Sequence, residues 1–191
     1  MTENCNKKEI HPLKPFLPKG ARILMLGSFP PQRIRWSMDW FYPNFQNDMW
    51  RIWGYILSGD KNHFVCPGEK RFDKERIEEF CRKEGIALYD TAEEVIRLKN
   101  NASDNFLQVV RPTDVAALLE QIPGCRSLVA TGQKAAETLQ TMTGTGPLPV
   151  GGSCPVTIAG RELKLCRMPS SSRAYPRSIE WKAEFYKRLL S

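Results

Sequence analysis

Histidine is almost missing from this chain: His11 and His63 are the only two in 191 residues. A metal centre built on imidazoles therefore has no material. The six cysteines, Cys5, Cys66, Cys81, Cys125, Cys154 and Cys166, contain no Cys-x-x-Cys pair. That excludes a zinc ribbon, a thioredoxin-type dithiol and a regular iron–sulfur framework; free thiols are expected, with no metal and no cofactor. No apolar run approaches the roughly 18 residues of a membrane span, and Met1-Thr-Glu-Asn-Cys-Asn-Lys-Lys8 lacks the apolar core of a signal peptide. A cytoplasmic protein with no membrane partner is expected. Also absent are an internal repeat, a Lys-Ser or Lys-Thr phosphate loop, a Gly-x-Ser-x-Gly nucleophile elbow and the His-x-Glu with Pro-Cys-x-x-Cys of zinc deaminases. Acids are outnumbered, 21 against 28 bases, leaving a net charge of +7. Such an excess favours a polyanionic partner, although many small proteins are as basic.

What is present alternates between strand and helix. Residues 1–20, punctuated by Pro12, Pro15 and Pro18, read as an extended arm; residues 21–191 read as one domain. Ile23 to Leu26 is a first apolar strand, Ile86 to Tyr89 a second and Ser127 to Ala130 a third. Val156 to Ile158 with Leu163 to Met168 suggests a hairpin leading into the last core strand. Helices are expected from about Asn47, with Trp50, Trp53, Ile56 and Leu57 at helical spacing, and over Asp73 to Lys83. A third follows a Thr113 cap, a fourth follows Thr131-Gly132-Gln133, and a fifth follows a Ser178 cap with Trp181, Phe185 and Leu189 four apart. Thr91 to Asn105 is ambiguous, a possible short helix running into the turn-like Asn100-Asn101-Ala102-Ser103-Asp104. The alternation implies an α/β protein, a three-layer α/β/α sandwich around a mainly parallel four-stranded sheet.

Two strand exits stand out. Leu24-Met-Leu-Gly-Ser-Phe-Pro30 and Met168-Pro-Ser-Ser-Ser-Arg-Ala-Tyr175 are apolar runs that stop in small residues and proline. In open α/β sheets ligands bind outside the carboxyl ends of the strands, so the two loops are expected to face one cleft. Pro30 and Pro31 stiffen the first loop, and the amides of Ser28 and Phe29 suit a ligand carbonyl. Phe29 reads equally as a presented aromatic face or as core. Asn44 and Asn47 lie among aromatics at a helix start, where each is either a cap or an amide that holds water. Ser170, Ser171 and Ser172 with Arg173 form either a solvated loop or a phosphate-binding surface. Asp39, Asp48, Asp90 and Asp104 show no spacing that fixes an acid/base pair.

Taken in order, Leu26-Gly-Ser-Phe-Pro30, Tyr42-Pro43 with Asn47-Asp-Met-Trp50-Arg-Ile, Gly85-Ile-Ala-Leu-Tyr-Asp90, Thr131-Gly-Gln-Lys-Ala135 and Met168-Pro-Ser-Ser-Ser172 resemble the uracil-DNA glycosylase superfamily. The pattern is most like its hypoxanthine-DNA glycosylase branch and, more distantly, the mismatch-specific uracil/thymine enzymes. The resemblance implies a monofunctional, cofactor-free, monomeric enzyme that takes a deaminated base, hypoxanthine or uracil, from duplex or single-stranded DNA and hydrolyses its glycosidic bond to leave an abasic site. It implies Asn47 as the catalytic, water-positioning amide, with Asn44 the fallback. Gly27, Ser28, Phe29, Pro30, Tyr42 and Thr131 would line the base pocket, with Phe29 stacking on the base. Ser170, Ser171 and Ser172 would clamp phosphate, and Arg173 or Tyr175 would fill the gap in the stack. The rival expectation is a non-catalytic nucleic-acid binding or damage-sensing module on the same fold.

Overall fold

The computed structural model describes residues 8–98 and 104–191. Cys5 and the Asn100 to Ser103 part of the expected turn lie outside the described residues. Strands β1 (Lys8–Ile10), β2 (Ile23–Gly27), β3 (Ile86–Asp90), β4 (Ala92–Arg97), β5 (Leu107–Pro112), β6 (Ser127–Ala130), β7 (Ser153–Ile158) and β8 (Arg161–Arg167) form two sheets. The larger runs β3-β2-β6-β8-β7, the smaller β1-β4-β5. Five α-helices are described: α1 (Met49–Ser58), α2 (Lys74–Glu84), α3 (Val115–Gln121), α4 (Gln133–Thr143) and α5 (Ile179–Tyr186).

In the large sheet β3, β2, β6 and β8 are parallel. Every residue of β2 and β3 is buried, as expected of parallel strands covered on both faces. The sheet has five strands rather than four, because the first arm of the expected hairpin is itself a full strand. It pairs antiparallel with β8 along six residue pairs and closes that edge.

The passage after β3 departs from expectation. No helix forms over 92–97: the segment is β4, paired antiparallel to β1 on one side and β5 on the other, with bulges between Ala92 and Val95. Its register is set by distant partners. The expected Ser178 cap forms, its side chain accepting from the Trp181 amide, and Asp73 caps α2 by accepting from the Arg76 amide. For α3 the cap is Asp114, which accepts from the Ala117 amide; the Thr113 hydroxyl donates instead to the Asp90 carbonyl at 2.7 Å.

Two helix faces are turned from where their apolar residues pointed. In α1, Trp50 and Trp53 are buried but Ile56 is only partly so and Leu57 is 41% exposed. In α5 the buried residues are Lys182, Ala183 and Tyr186, while Trp181 and Phe185, and Leu189 in the 3₁₀ turn that follows, are half-buried. Tyr186 meets Trp53 edge-on at 5.8 Å, so α5 packs on α1 through that aromatic pair. The described cysteines are all free.

Candidate functional site

Because four strands are parallel, Gly27, Asp90, Ala130 and Arg167 all end on one side of the sheet. The chain leaves β2 for β3 on one flank and later reaches β6 on the other, so the strand order switches at β2 and opens a crevice there. A cleft of about 770 Å³ lies at this point, lined by Gly27 to Pro31, Tyr42, Asn44, Asn47, Asp90, Thr131 and Ser170 to Ser172. The two strand-exit loops do face one another. The volume is within the range of small-molecule sites.

The first loop is held from behind by the small sheet. Arg97, buried in β4, forms a two-pronged pair with Glu9 of β1 and donates to the Pro30 carbonyl at 3.1 Å. The Trp36 indole donates to the Pro31 carbonyl at 2.7 Å. Phe29 is 8% exposed and packs with Ala92, Val95 and Leu107 in a second, small core. Its ring anchors the loop and leaves little face for a ligand, although the residue reaches the cleft lining.

The floor holds the strongest polar arrangement. His11, carried in by the residues after β1, places Nε2 2.8 Å from Asp90 Oδ2, and both residues are buried. The other ring nitrogen faces the Leu13 backbone, 3.2 Å from its amide and 3.0 Å from its carbonyl. The carboxylate can only accept, so the ring donates to it through Nε2. Asp90 Oδ1 then lies over Gly27, so close that a Cβ there would overlap it. Gly27 is thus required by the approach of a carboxylate, not by turn geometry.

Beside it, Tyr42 Oη and Thr131 Oγ1 share a hydrogen bond of 2.8 Å. Tyr42 has φ 50, a left-handed backbone that is unfavourable for a bulky residue. The bond to Thr131 and an edge-on contact with Trp50 at 5.8 Å hold it there. Burial, then the charge of Asp90, pushes the Tyr42 hydroxyl far above its ordinary range, so it remains a neutral donor. Asp104, which keeps solvent contact at the cleft mouth, has its carboxyl raised by desolvation; a hydrogen bond from Ser28 opposes this and the charge of Asp90 adds to it.

The opposite wall is clamped by charge. Asp48, at the start of α1, is buried and does not cap its helix with its side chain. One carboxylate oxygen accepts from Arg173 Nε at 3.0 Å, the other from Lys182 Nζ at 3.4 Å, and Lys182 also donates to the Ser172 carbonyl at 3.0 Å. The Asp48 amide donates to the Ser171 carbonyl and the Tyr186 hydroxyl to that of Pro169, each at 2.9 Å. Burial lowers the Lys182 pKa and the charge of Asp48 opposes that. The serine loop is therefore bolted to α1 and α5, with Ser171 buried and Ser170 and Ser172 partly open.

Of the residues singled out in the sequence, Asn44, Asn47, Tyr42, Thr131, Gly27 to Pro30, Ser170 to Ser172 and Tyr175 line the cleft; Arg173 does not. Both asparagine oxygens are taken locally, Asn47 Oδ1 by the Met49 amide and Asn44 Oδ1 by the Gln46 amide, each at 2.9 Å. Their amino groups are the ends available to a ligand. His11 was not singled out, and Asp90 was only one of four unplaced carboxylates. The signal for Asp90 is its position: it ends an apolar run as Gly27 does.

No family model matches this chain, and no curated protein matches it. Among solved structures it is similar to the solution NMR structure of a "putative Uracil DNA glycosylase" from Methanosarcina acetivorans, with a TM-score of 0.60 and 24% identity over 93% of this chain and 96% of that one. The likeness is one of fold. It extends over nearly the full length of both chains. Among the described residues no group of three His, Cys, Asp or Glu side chains is placed to hold a metal ion, and no helix is long and apolar enough to cross a membrane.

Proposed function

We propose that this chain is a monofunctional DNA glycosylase of the uracil-DNA glycosylase superfamily, with helices layered on both faces of its sheet. It hydrolyses the N-glycosidic bond of hypoxanthine or uracil turned out of DNA into the cleft, leaving an abasic site. The observation that carries the reading is Asp90, a carboxylate held by His11 in the lining of the cleft that Ser28 and Phe29 also line. Deamination of adenine or cytosine replaces an amine by a carbonyl and turns the adjacent ring nitrogen from an acceptor into an N–H donor. An ionised carboxylate only accepts. It pairs with the N–H of either deaminated base and repels the lone pair of either parent, while backbone amides of the first loop take the neighbouring carbonyl.

The same contacts serve the chemistry. As the bond from C1′ to the base nitrogen breaks, negative charge builds on the base and the sugar gains oxocarbenium character. Hydrogen bonds to the base carbonyl strengthen with that charge. Water then adds at C1′ and gives up one proton, which neutralises the departed base anion, and a neutral amide suffices to orient it. Asn47 supplies an amino group whose rotamer is locked by the bond to Met49. Asn47→Ala should slow single-turnover cleavage by about 100-fold with folding and DNA binding nearly unchanged, and Asn44→Ala should do less; a larger loss at Asn44 would reverse the assignment.

The deciding experiment is a gel assay on duplex and single-stranded oligonucleotides carrying uracil, hypoxanthine, xanthine or a G:T pair, with and without chelator. Alkali-labile product from hypoxanthine or uracil, unaffected by chelator, is expected. Lesion-dependent binding with no product at ample enzyme would instead support a damage-sensing module, to which the engaged oxygens of Asn44 and Asn47 lend some weight.

A further inference from the structure

Helix α5 seats itself on Lys182, Ala183 and Tyr186, which leaves Trp181 and Phe185, one turn apart, half-buried on its flank. These two rings continue a series that begins in the cleft. Tyr175 lines the cleft and has its ring 6.3 Å from that of Trp181, which in turn lies 4.6 Å from Phe185. Each ring carries a cation. Lys182 Nζ is 5.9 Å from the Tyr175 ring, and the guanidinium groups of Arg177 and Arg188 lie 5.1 Å over Trp181 and Phe185. Arg177 and Arg188 are exposed, and no ion pair among the described residues includes either. The carboxylates of α5 are engaged elsewhere, Glu184 with Lys187 at 2.6 Å and Glu180 with the Ser178 hydroxyl.

Rings interleaved with arginines that lack acidic partners, leading out of a cleft, match the chemistry of unpaired nucleotides. A base stacks on an aromatic ring or a guanidinium plane, and its phosphate attracts a cation. Paired bases hide those faces. We propose that the α5 face is a track for single-stranded DNA, on which nucleotides flanking the one in the cleft stack on Trp181 and Phe185 while Arg177 and Arg188 meet their phosphates. The inference deepens the reading of the cleft as a base pocket and rests on it; it concerns the neighbours of the turned-out nucleotide and not the gap that nucleotide leaves. A protein partner suits this face less, since an apolar surface laid on it would bury two arginine charges without acceptors. Duplex DNA offers phosphates to the arginines but no base face to the rings.

Binding of an unmodified oligothymidylate and of an unmodified duplex, followed by fluorescence anisotropy of the labelled DNA, tests the track apart from cleavage. Trp181→Ala should weaken single-strand binding about tenfold and duplex binding less than about twofold, whereas Trp181→Phe, which keeps a ring, should stay within about threefold of wild type on both. Arg177→Gln should weaken single-strand binding and lower the slope of log affinity against log salt by about 0.7. Oligothymidylate should also quench tryptophan emission, and Trp181→Phe should remove most of that quench, because Trp40, Trp50 and Trp53 are buried. If Trp181→Ala fails to fold, Arg177→Gln and the quench decide. Unchanged single-strand affinity in the folded variants, a loss of equal size on duplex, or a wild type that does not bind oligothymidylate would each overturn the track. Failure to cleave any lesion would overturn the glycosylase reading instead, and the track would then stand or fall on these affinities alone.

Discussion

Asp48→Ala is expected to destabilise the fold by about 3–5 kcal/mol, the usual loss when one member of a buried ion pair is removed. Lys182 is fully buried, and Asp48 is its charged partner. Without the carboxylate, the ammonium keeps only the Ser172 carbonyl and must be neutralised or hydrated inside the packing of α1 on α5. Arg173 is half-exposed, so its own share of the loss is small, within about 1 kcal/mol. Since Asp48 adjoins Asn47 and its partners hold the serine loop, both cleft walls should loosen as well. Urea unfolding of the wild type, Asp48→Ala, Lys182→Met and the double variant is the measurement. The double variant should recover most of the loss, because no charge is then left unpaired. Equal damage from Lys182→Met and Asp48→Ala, with no recovery when combined, would show that packing and not charge is at stake.

That clamp was invisible in the sequence, since Asp48 lies 125 residues from Arg173 and 134 from Lys182. A buried lysine in a helix reads as a solvated one until its partner is known. The central strands were legible for the opposite reason. Ile23 to Leu26, Ile86 to Tyr89 and Leu128 to Ala130 are apolar runs whose burial on both faces needs no knowledge of a partner. The small sheet was not legible: β1 and β4 carry Glu9, Glu93, Glu94 and Arg97, and their pairing joins Lys8 to Ile96 and Ile10 to Glu94 across the intervening chain. Nothing local distinguishes such a strand from a polar loop or a short helix.

The site divided along the same line. The two loops could be recognised because each ends an apolar run in small residues and proline. Phe29 left core and cleft open as alternatives, and its neighbours Ala92, Val95 and Leu107, which settle the ring in a core, all belong to the sheet the sequence concealed. His11 directly follows the first strand of that sheet. It lay in a segment read as an arm, yet its ring is buried against Asp90, which lines the cleft.

Asp90→Asn should abolish most cleavage of hypoxanthine and uracil while the protein stays folded. The amide matches the carboxylate in size, and its single oxygen is drawn to His11 Nε2–H, the bond that Oδ2 makes at 2.8 Å. The amino group is then forced to where Oδ1 stood, over Gly27 and toward the bound base. A donor there meets the N–H of a deaminated base: one charge-assisted bond is lost and two buried donors are left without acceptors. Those losses, about 1.5–3 kcal/mol for the bond and a further 1–3 kcal/mol for the unsatisfied groups, correspond to roughly 10²–10⁴ in single-turnover rate. The same amino group suits the ring-nitrogen lone pair of adenine or cytosine, so discrimination against the parent bases should narrow as activity falls. Gly27→Ala should mimic the first effect without the second, because its methyl displaces the carboxylate but supplies no donor. Rates on lesion and parent oligonucleotides, with thermal unfolding of each variant, separate the possibilities. If Asp90→Asn folds normally and keeps rate and base preference, the carboxylate is a structural partner of His11 and base reading belongs to another part of the cleft.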